Sequence, residues 1–122
     1  MPAEDPASEI THQGNCHCGT VAFSFEAEPV TAGLRCNCSI CKRLGLVFSL
    51  AIPPAKFQLT RGRESTRTYQ FGDRDITHVY CSQCGVYVFY QSEKQCRVNL
   101  GCVDAVDTFA ITVHFYDGEH LL

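Results

Sequence analysis

The chain has 122 residues, a formal net charge of −3 and a composition of 45% hydrophobic and 19% charged residues, which fits one ordinary globular domain. Without a block of lysine or arginine, nucleic acid and anionic membranes are not expected partners. The longest apolar stretch, Leu44 to Pro54, is broken by Gly45 and Ser49 and is too short to span a bilayer.

The start, M-P-A-E-D-P-A-S-E, is acidic and proline-rich. It lacks the basic start and apolar run of a signal peptide, so a cytoplasmic location is expected. Residues 1–11 read as a disordered head, and residues 12–122 as a single zinc-binding domain. Val21 to Glu26 alternates with period two, as a half-buried strand does. Val47 to Ile52, Lys56 to Thr60, Thr66 to Phe71, Thr77 to Tyr80, Val86 to Tyr90, Cys96 to Leu100 and Ala110 to Phe115 are further expected strands. Turn residues such as Pro53-Pro54, Gly72-Asp73 and Asp117-Gly118 separate them. One helical turn is expected after Cys41 and another near Asp104 to Thr108. The expected class is mainly β, antiparallel, with few short helices.

The nine cysteines dominate the chemistry. The count is odd, and seven of the nine fall in C-x-C or C-x2-C clusters. Such near neighbours suit one tetrahedral metal better than a structural disulfide. Cys16 and Cys18 form one pair; Cys81 and Cys84 form another. Zinc takes four ligands, so these four thiolates make a complete, structural site. The glycine after Cys84 allows the tight turn such a site needs. A C-x-C segment points both sulfurs to one side and turns His17 to the other. His17 is therefore not counted as a ligand.

Cys36, Cys38 and Cys41 supply three sulfurs within six residues. Three ligands leave a fourth position open, the mark of a catalytic zinc. Two other readings stand beside this one. Cys96, Cys102, His78 or His114 can close the site, or the three can be plain thiols. Three thiolates make zinc a weak Lewis acid toward water. The ion stays thiophilic, so an open site favours thiol chemistry.

The segments G-N-C-H-C-G-T-V-A-F, C-N-C-S-I-C, H-V-Y-C-S-Q-C-G and V-N-L-G-C-V-D resemble, in that order, the glutathione-dependent formaldehyde-activating enzyme family. That family also contains the centromere protein V domain. The resemblance implies a β-tent fold, antiparallel sheets around a structural zinc held by Cys16, Cys18, Cys81 and Cys84. It implies a second, catalytic zinc on Cys36, Cys38 and Cys41, two zinc ions per chain in all. It also implies a carbon–sulfur lyase activity joining glutathione and formaldehyde as S-hydroxymethylglutathione, with no catalytic residue assigned beyond the zinc ligands. The chain has no tryptophan and ends H-F-Y-D-G-E-H-L-L, where many relatives carry a proline–tryptophan segment.

Around this site, Arg35, Lys42 and Arg43 flank the ligand loop and can attract a carboxylate-bearing thiol. His78 is either a proton carrier or a packed structural histidine. Cys96 reads as a small core hydrophobe. Cys102 follows a bend at Gly101 that can turn it toward the open zinc. The rival to an enzyme is a non-catalytic module with two structural zincs.

Overall fold

In the computed structural model the described residues are 8–118. The chain is mainly β with few short helices, as expected. Among the described residues nine strands run in chain order: β1 (Ile10–Asn15), β2 (Ala22–Ala27), β3 (Ala32–Cys36), β4 (Phe57–Arg61), β5 (Thr66–Tyr69), β6 (Thr77–Cys81), β7 (Tyr87–Gln91), β8 (Cys96–Val98) and β9 (Thr112–Tyr116). An α-helix, α1, spans Ser39–Leu44, and single 3-10 turns occupy Pro54–Lys56, Arg63–Ser65 and Leu100–Cys102. No helix among the described residues is long and apolar enough to cross a membrane.

The strands form three sheets, ordered β1-β2-β4, β3-β9 and β5-β6-β7-β8. The first and third are antiparallel. Their apolar faces meet in one buried cluster that includes Val21, Phe23, Phe25, Val79, Val88, Phe89, Val98 and Leu100. Alternation places these residues inward. In β2, Phe23 and Phe25 are 1% exposed while Glu26 faces out.

Several sequence expectations change. β3 and β9 pair in parallel, from Ala32↔Thr112 to Cys36↔Tyr116. No tight turn constrains them, because most of the chain lies between them. The expected strand Val47 to Ile52 makes only isolated bridges, Phe48 to Leu34 and Asn99 and Ile52 to Cys96. Its ladder is interrupted at Ser49, whose hydroxyl accepts the Val98 N–H at 3.0 Å. The segment instead stitches β3 to the β5–β8 sheet.

Two strands carried no alternating signal. β1 buries only His12 and Gly14. His12 stacks on Phe25 at 4.8 Å, and its Nε2 lies 3.0 Å from the Glu28 carbonyl. In β3, Gly33 and Arg35 break the apolar pattern. β1 also begins inside the stretch 1–11 read as a head, because Ile10 and Thr11 pair with Ala27 and Glu26. Residues 1–7 of that head lie outside the described residues. The helical turn expected after Cys41 begins earlier, at Ser39, so Cys41 sits within it. Near Asp104 to Thr108 the chain makes two hydrogen-bonded turns, Val106 N–H to the Val103 carbonyl and Ala110 N–H to the Asp107 carbonyl, each at 2.9 Å, rather than a helical turn; the 3-10 turn comes before them at Leu100–Cys102.

Candidate metal centres

Cys16 and Cys18 follow the end of β1, and Cys81 and Cys84 sit where β6 turns into β7. Each pair lies on a tight turn closed by backbone bonds. Cys16 N–H donates to the Val21 carbonyl at 2.9 Å, and Cys81 N–H to the Val86 carbonyl at 3.0 Å. The glycine after each pair has positive φ, 81° at Gly19 and 77° at Gly85. The turns aim amides at sulfur: Val21 N–H at Cys16 Sγ (3.3 Å) and Gln83 N–H at Cys81 Sγ (3.3 Å).

The four sulfurs lie within 4.8 Å of one another. Cys18 Sγ is 3.6 Å from Cys16 Sγ and 3.8 Å from Cys81 Sγ. A disulfide needs about 2.05 Å. A tetrahedron with metal–sulfur bonds of about 2.3 Å has edges of roughly 3.8 Å, so the spacing fits a four-thiolate metal site. The surroundings favour thiolate at the rim. Hydrogen bonds from the Cys18 and Val86 backbone bring the Cys84 thiol down to about 6. The Thr20 hydroxyl and backbone lower Cys18. Burial pushes Cys81 up to about 11, so that thiol needs a bound cation to ionise at neutral pH.

The second cluster is built from the end of β3 and the start of α1. Cys36 closes the strand, Cys38 is the helix N-cap, and Cys41 lies three residues on, on the same face. Gly45, with φ 68°, ends the helix by donating its N–H to the Cys41 carbonyl. All three thiols are half-buried, and their sulfurs also lie within 4.8 Å of one another. Cys38 N–H points at Cys36 Sγ from 3.4 Å. Burial raises Cys41, and the neighbouring Cys38 and Cys36 add to that. At Cys38 burial also opposes ionisation, but bonds from Cys41, Cys36 and Ile40 outweigh it and the net shift is downward.

Among the described residues no fourth cysteine, histidine or carboxylate joins the three. The sites weighed for that role lie elsewhere. Cys96 is buried in the core cluster. Cys102 does not turn toward the three-cysteine site. Its Sγ is 3.7 Å from the Tyr87 carbonyl, and Cys16 and Cys84 are the thiols that influence it. The 3-10 turn Leu100–Cys102, fixed by Asn99 Oδ1 accepting the Gly101 N–H at 2.9 Å, sets that direction. His114 lies on an exposed position of β9.

The three thiols open instead onto a cavity of about 730 Å³. Lys42 and Arg43 of α1 line it, whereas Arg35 lines a second groove that shares Cys36, Cys41 and Lys42 with it. His78, Tyr90 and Arg97 form the facing wall. These three are direct neighbours across strands, His78↔Tyr90 and Tyr90↔Arg97. Tyr90 and Arg97 carry no local motif. Only the pairing register, which a sequence does not print, puts them in line with His78.

A family model described as glutathione-dependent formaldehyde-activating enzyme matches residues 11–119. Among solved structures, a crystal structure of a Rhodobacter sphaeroides protein superposes with a TM-score of 0.74 at 26% sequence identity. The match covers 85% of this chain and 99% of that one.

Proposed function

Since the chain belongs to the glutathione-dependent formaldehyde-activating enzyme family, we propose that it is a carbon–sulfur lyase-type enzyme. It would add a small thiol such as glutathione to formaldehyde or a similar carbonyl compound, or run the reverse. The observation that carries this reading is the incomplete thiol set. Cys36, Cys38 and Cys41 face a cavity with space for a substrate, and no fourth ligand comes from the described residues.

Sulfur-only donor sets fit zinc, one ion on Cys16, Cys18, Cys81 and Cys84 and one on Cys36, Cys38 and Cys41. Zinc on the three thiolates would supply a position at which an incoming thiol ionises near neutral pH. The addition itself is simple. The thiol gives up its proton, its sulfur bonds to the carbonyl carbon, the C=O π pair moves to oxygen, and that oxygen takes up a proton. The chain's residues hold the partners together, which removes the entropy cost of a bimolecular encounter. Lys42 and Arg43 at the rim attract a substrate carboxylate, and Phe48, Phe71 and Ile76 cover its apolar parts. A cytoplasmic location suits the reading, because free thiols persist there.

The uncatalysed addition of glutathione to formaldehyde proceeds by itself, so the test is acceleration. Exchange NMR of the two reactants at equilibrium should show faster adduct turnover with the zinc-loaded protein than without it. No acceleration sinks the enzymatic reading and leaves a two-zinc binding module.

A further inference from the structure

His78 is a polar group on the cavity wall to which the proposed chemistry has so far given no task. It is 4% exposed on β6. Its ring stacks on Phe71, 5.7 Å between centroids and 11° between planes, and Tyr90 meets it edge-on at 5.9 Å. His78 Nδ1 lies 2.6 Å from Tyr87 Oη, a short and buried hydrogen bond. Ring packing and this bond leave the imidazole a single orientation.

The direction of the bond follows from its chemistry. Burial raises the Tyr87 phenol far above its ordinary range, and the charges of Cys41, Tyr90 and Cys38 add to this. The phenol therefore keeps its proton. Its hydrogen-bond partner among the described residues is His78 Nδ1. The phenol O–H donates and Nδ1 accepts. Burial also lowers the His78 pKa, so the ring is neutral at neutral pH. A neutral imidazole with an accepting Nδ1 carries its proton on Nε2.

Nε2 bonds to no described residue, yet no buried side-chain nitrogen or oxygen among them lacks a partner. Nε2 is therefore accessible, and the space His78 lines is the cavity shared with Cys36, Cys38 and Cys41. An oriented N–H donor and three sulfurs thus border the same chamber.

We propose that His78 is a catalytic hydrogen-bond donor, whose Nε2–H, set by Tyr87, holds the carbonyl oxygen of the electrophile while the thiol sulfur attacks its carbon. The inference rests on the thiol–carbonyl reading above. As the S–C bond forms, the C=O π pair moves to oxygen and negative charge grows where the N–H points. A fixed donor stabilises that charge more than the starting carbonyl, which lowers the barrier. The ring keeps its own proton. The proton that ends on the product oxygen is the one the thiol released, returned through water. Tyr87 touches no reactant in this scheme; it is a positioning residue.

The test compares the zinc-loaded wild type with H78F, H78Q and Y87F, with zinc content checked for each. H78F keeps the stacking ring but loses the donor. It should lower kcat by about 10²-fold while the KM for thiol stays within about twofold. H78Q retains an N–H and should recover part of the loss. Y87F should cost about tenfold in kcat. In ¹⁵N NMR the wild-type His78 should show a protonated Nε2 and bare Nδ1, and Y87F a tautomer mixture. This readout does not depend on turnover or on whether H78F folds. H78F with kcat within about twofold of wild type, or a His78 proton on Nδ1, overturns the inference and leaves the thiol–carbonyl reading standing. A wild type that does not accelerate the addition overturns both.

Discussion

Cys18 Sγ lies 3.8 Å from Cys81 Sγ across 63 residues of chain. One short contact thus joins the end of the β1-β2-β4 sheet to the β6–β7 turn of the other antiparallel sheet. Closing so long a loop removes much freedom from the unfolded chain, and a metal on these thiolates adds its binding free energy to folding. The three-cysteine cluster spans only six residues and ties no distant elements together.

The two sites should therefore respond differently to loss of a ligand. Cys81→Ser should abolish cooperative thermal unfolding or leave the protein insoluble. Cys38→Ser should lose one zinc of two and keep its far-ultraviolet circular dichroism and melting transition. Metal analysis with circular dichroism on both variants is the check. A Cys38→Ser protein that unfolds like Cys81→Ser would make the second site structural.

Gly62 tests how the first site is buttressed. Its φ is 84°, and a Cβ there would stand 2.1 Å from the Thr20 carbonyl oxygen. Thr20 follows the Cys16–Cys18 loop, and neighbouring Arg61 Nη2 donates to the Gly19 carbonyl at 2.6 Å. Gly62→Ala combines a left-handed backbone with a backbone clash and should cost about 2–4 kcal/mol. Gly72 has φ 60° but open space around it, so Gly72→Ala should cost only about 1 kcal/mol. Chemical denaturation of the two variants gives the comparison. Gly62→Ala should also release zinc to a chelator faster than wild type.

The thiol clusters were legible because ligand spacing is local. A C-x-C and a C-x2-C set four sulfurs wherever the strands bring them together. The alternation of β2 was legible for the same reason, and β7 was legible as a short apolar, aromatic-rich run. What stayed hidden depends on distant partners. β1 buries a histidine rather than an apolar row, so its pattern was silent. The parallel pairing of β3 with β9 is a matter of topology. Phe48 and Ile52 read as strand residues, yet they make single bridges because Ser49 Oγ takes the place of a backbone acceptor. The cavity wall of His78, Tyr90 and Arg97 belongs to register across three strands. Cys102 follows the bend expected at Gly101, but the bend carries it toward Cys16 and Cys84.

His78 should leave a mark on stability as well as on rate. Burial lowers its pKa from the ordinary 6.5, and its ring neighbours Tyr69, Phe71, Tyr87 and Tyr90 bring no carboxylate to it. Well above pH 6.5 the ring is neutral folded and unfolded, and it adds no pH dependence. Below 6.5 the unfolded chain takes up the proton first, so stability falls with pH until the folded pKa is passed. His78→Gln cannot titrate. The stability difference between wild type and His78→Gln should shift against the wild type as pH drops from about 7 to 5. Urea denaturation across that range measures it, and the comparison cancels zinc loss common to both proteins. A difference independent of pH would mean that His78 is protonated as readily folded as unfolded.

Lys42 and Arg43 are exposed at the end of α1 and line the cavity. Arg43 Nη1 donates to the Ser39 carbonyl at 2.8 Å, and both cations suit the C-terminal end of the helix. Their removal should cost the fold only a few tenths of a kcal/mol. Arg97 is less suitable for the test, because its Nη1 also holds the Ser49 carbonyl at 3.0 Å. In water-exposed positions two charges are worth roughly 0.5–1 kcal/mol to an anionic ligand. The Lys42→Ala/Arg43→Ala double variant should therefore raise KM for glutathione by about 2–5-fold with kcat unchanged. The increase should shrink as added salt shortens the Debye length from about 10 Å to 3 Å. An uncharged thiol such as 2-mercaptoethanol should show no such increase. Equal losses for both thiols would place the effect in the shape of α1 rather than its charge, and the rim would have no part in choosing a carboxylate-bearing substrate.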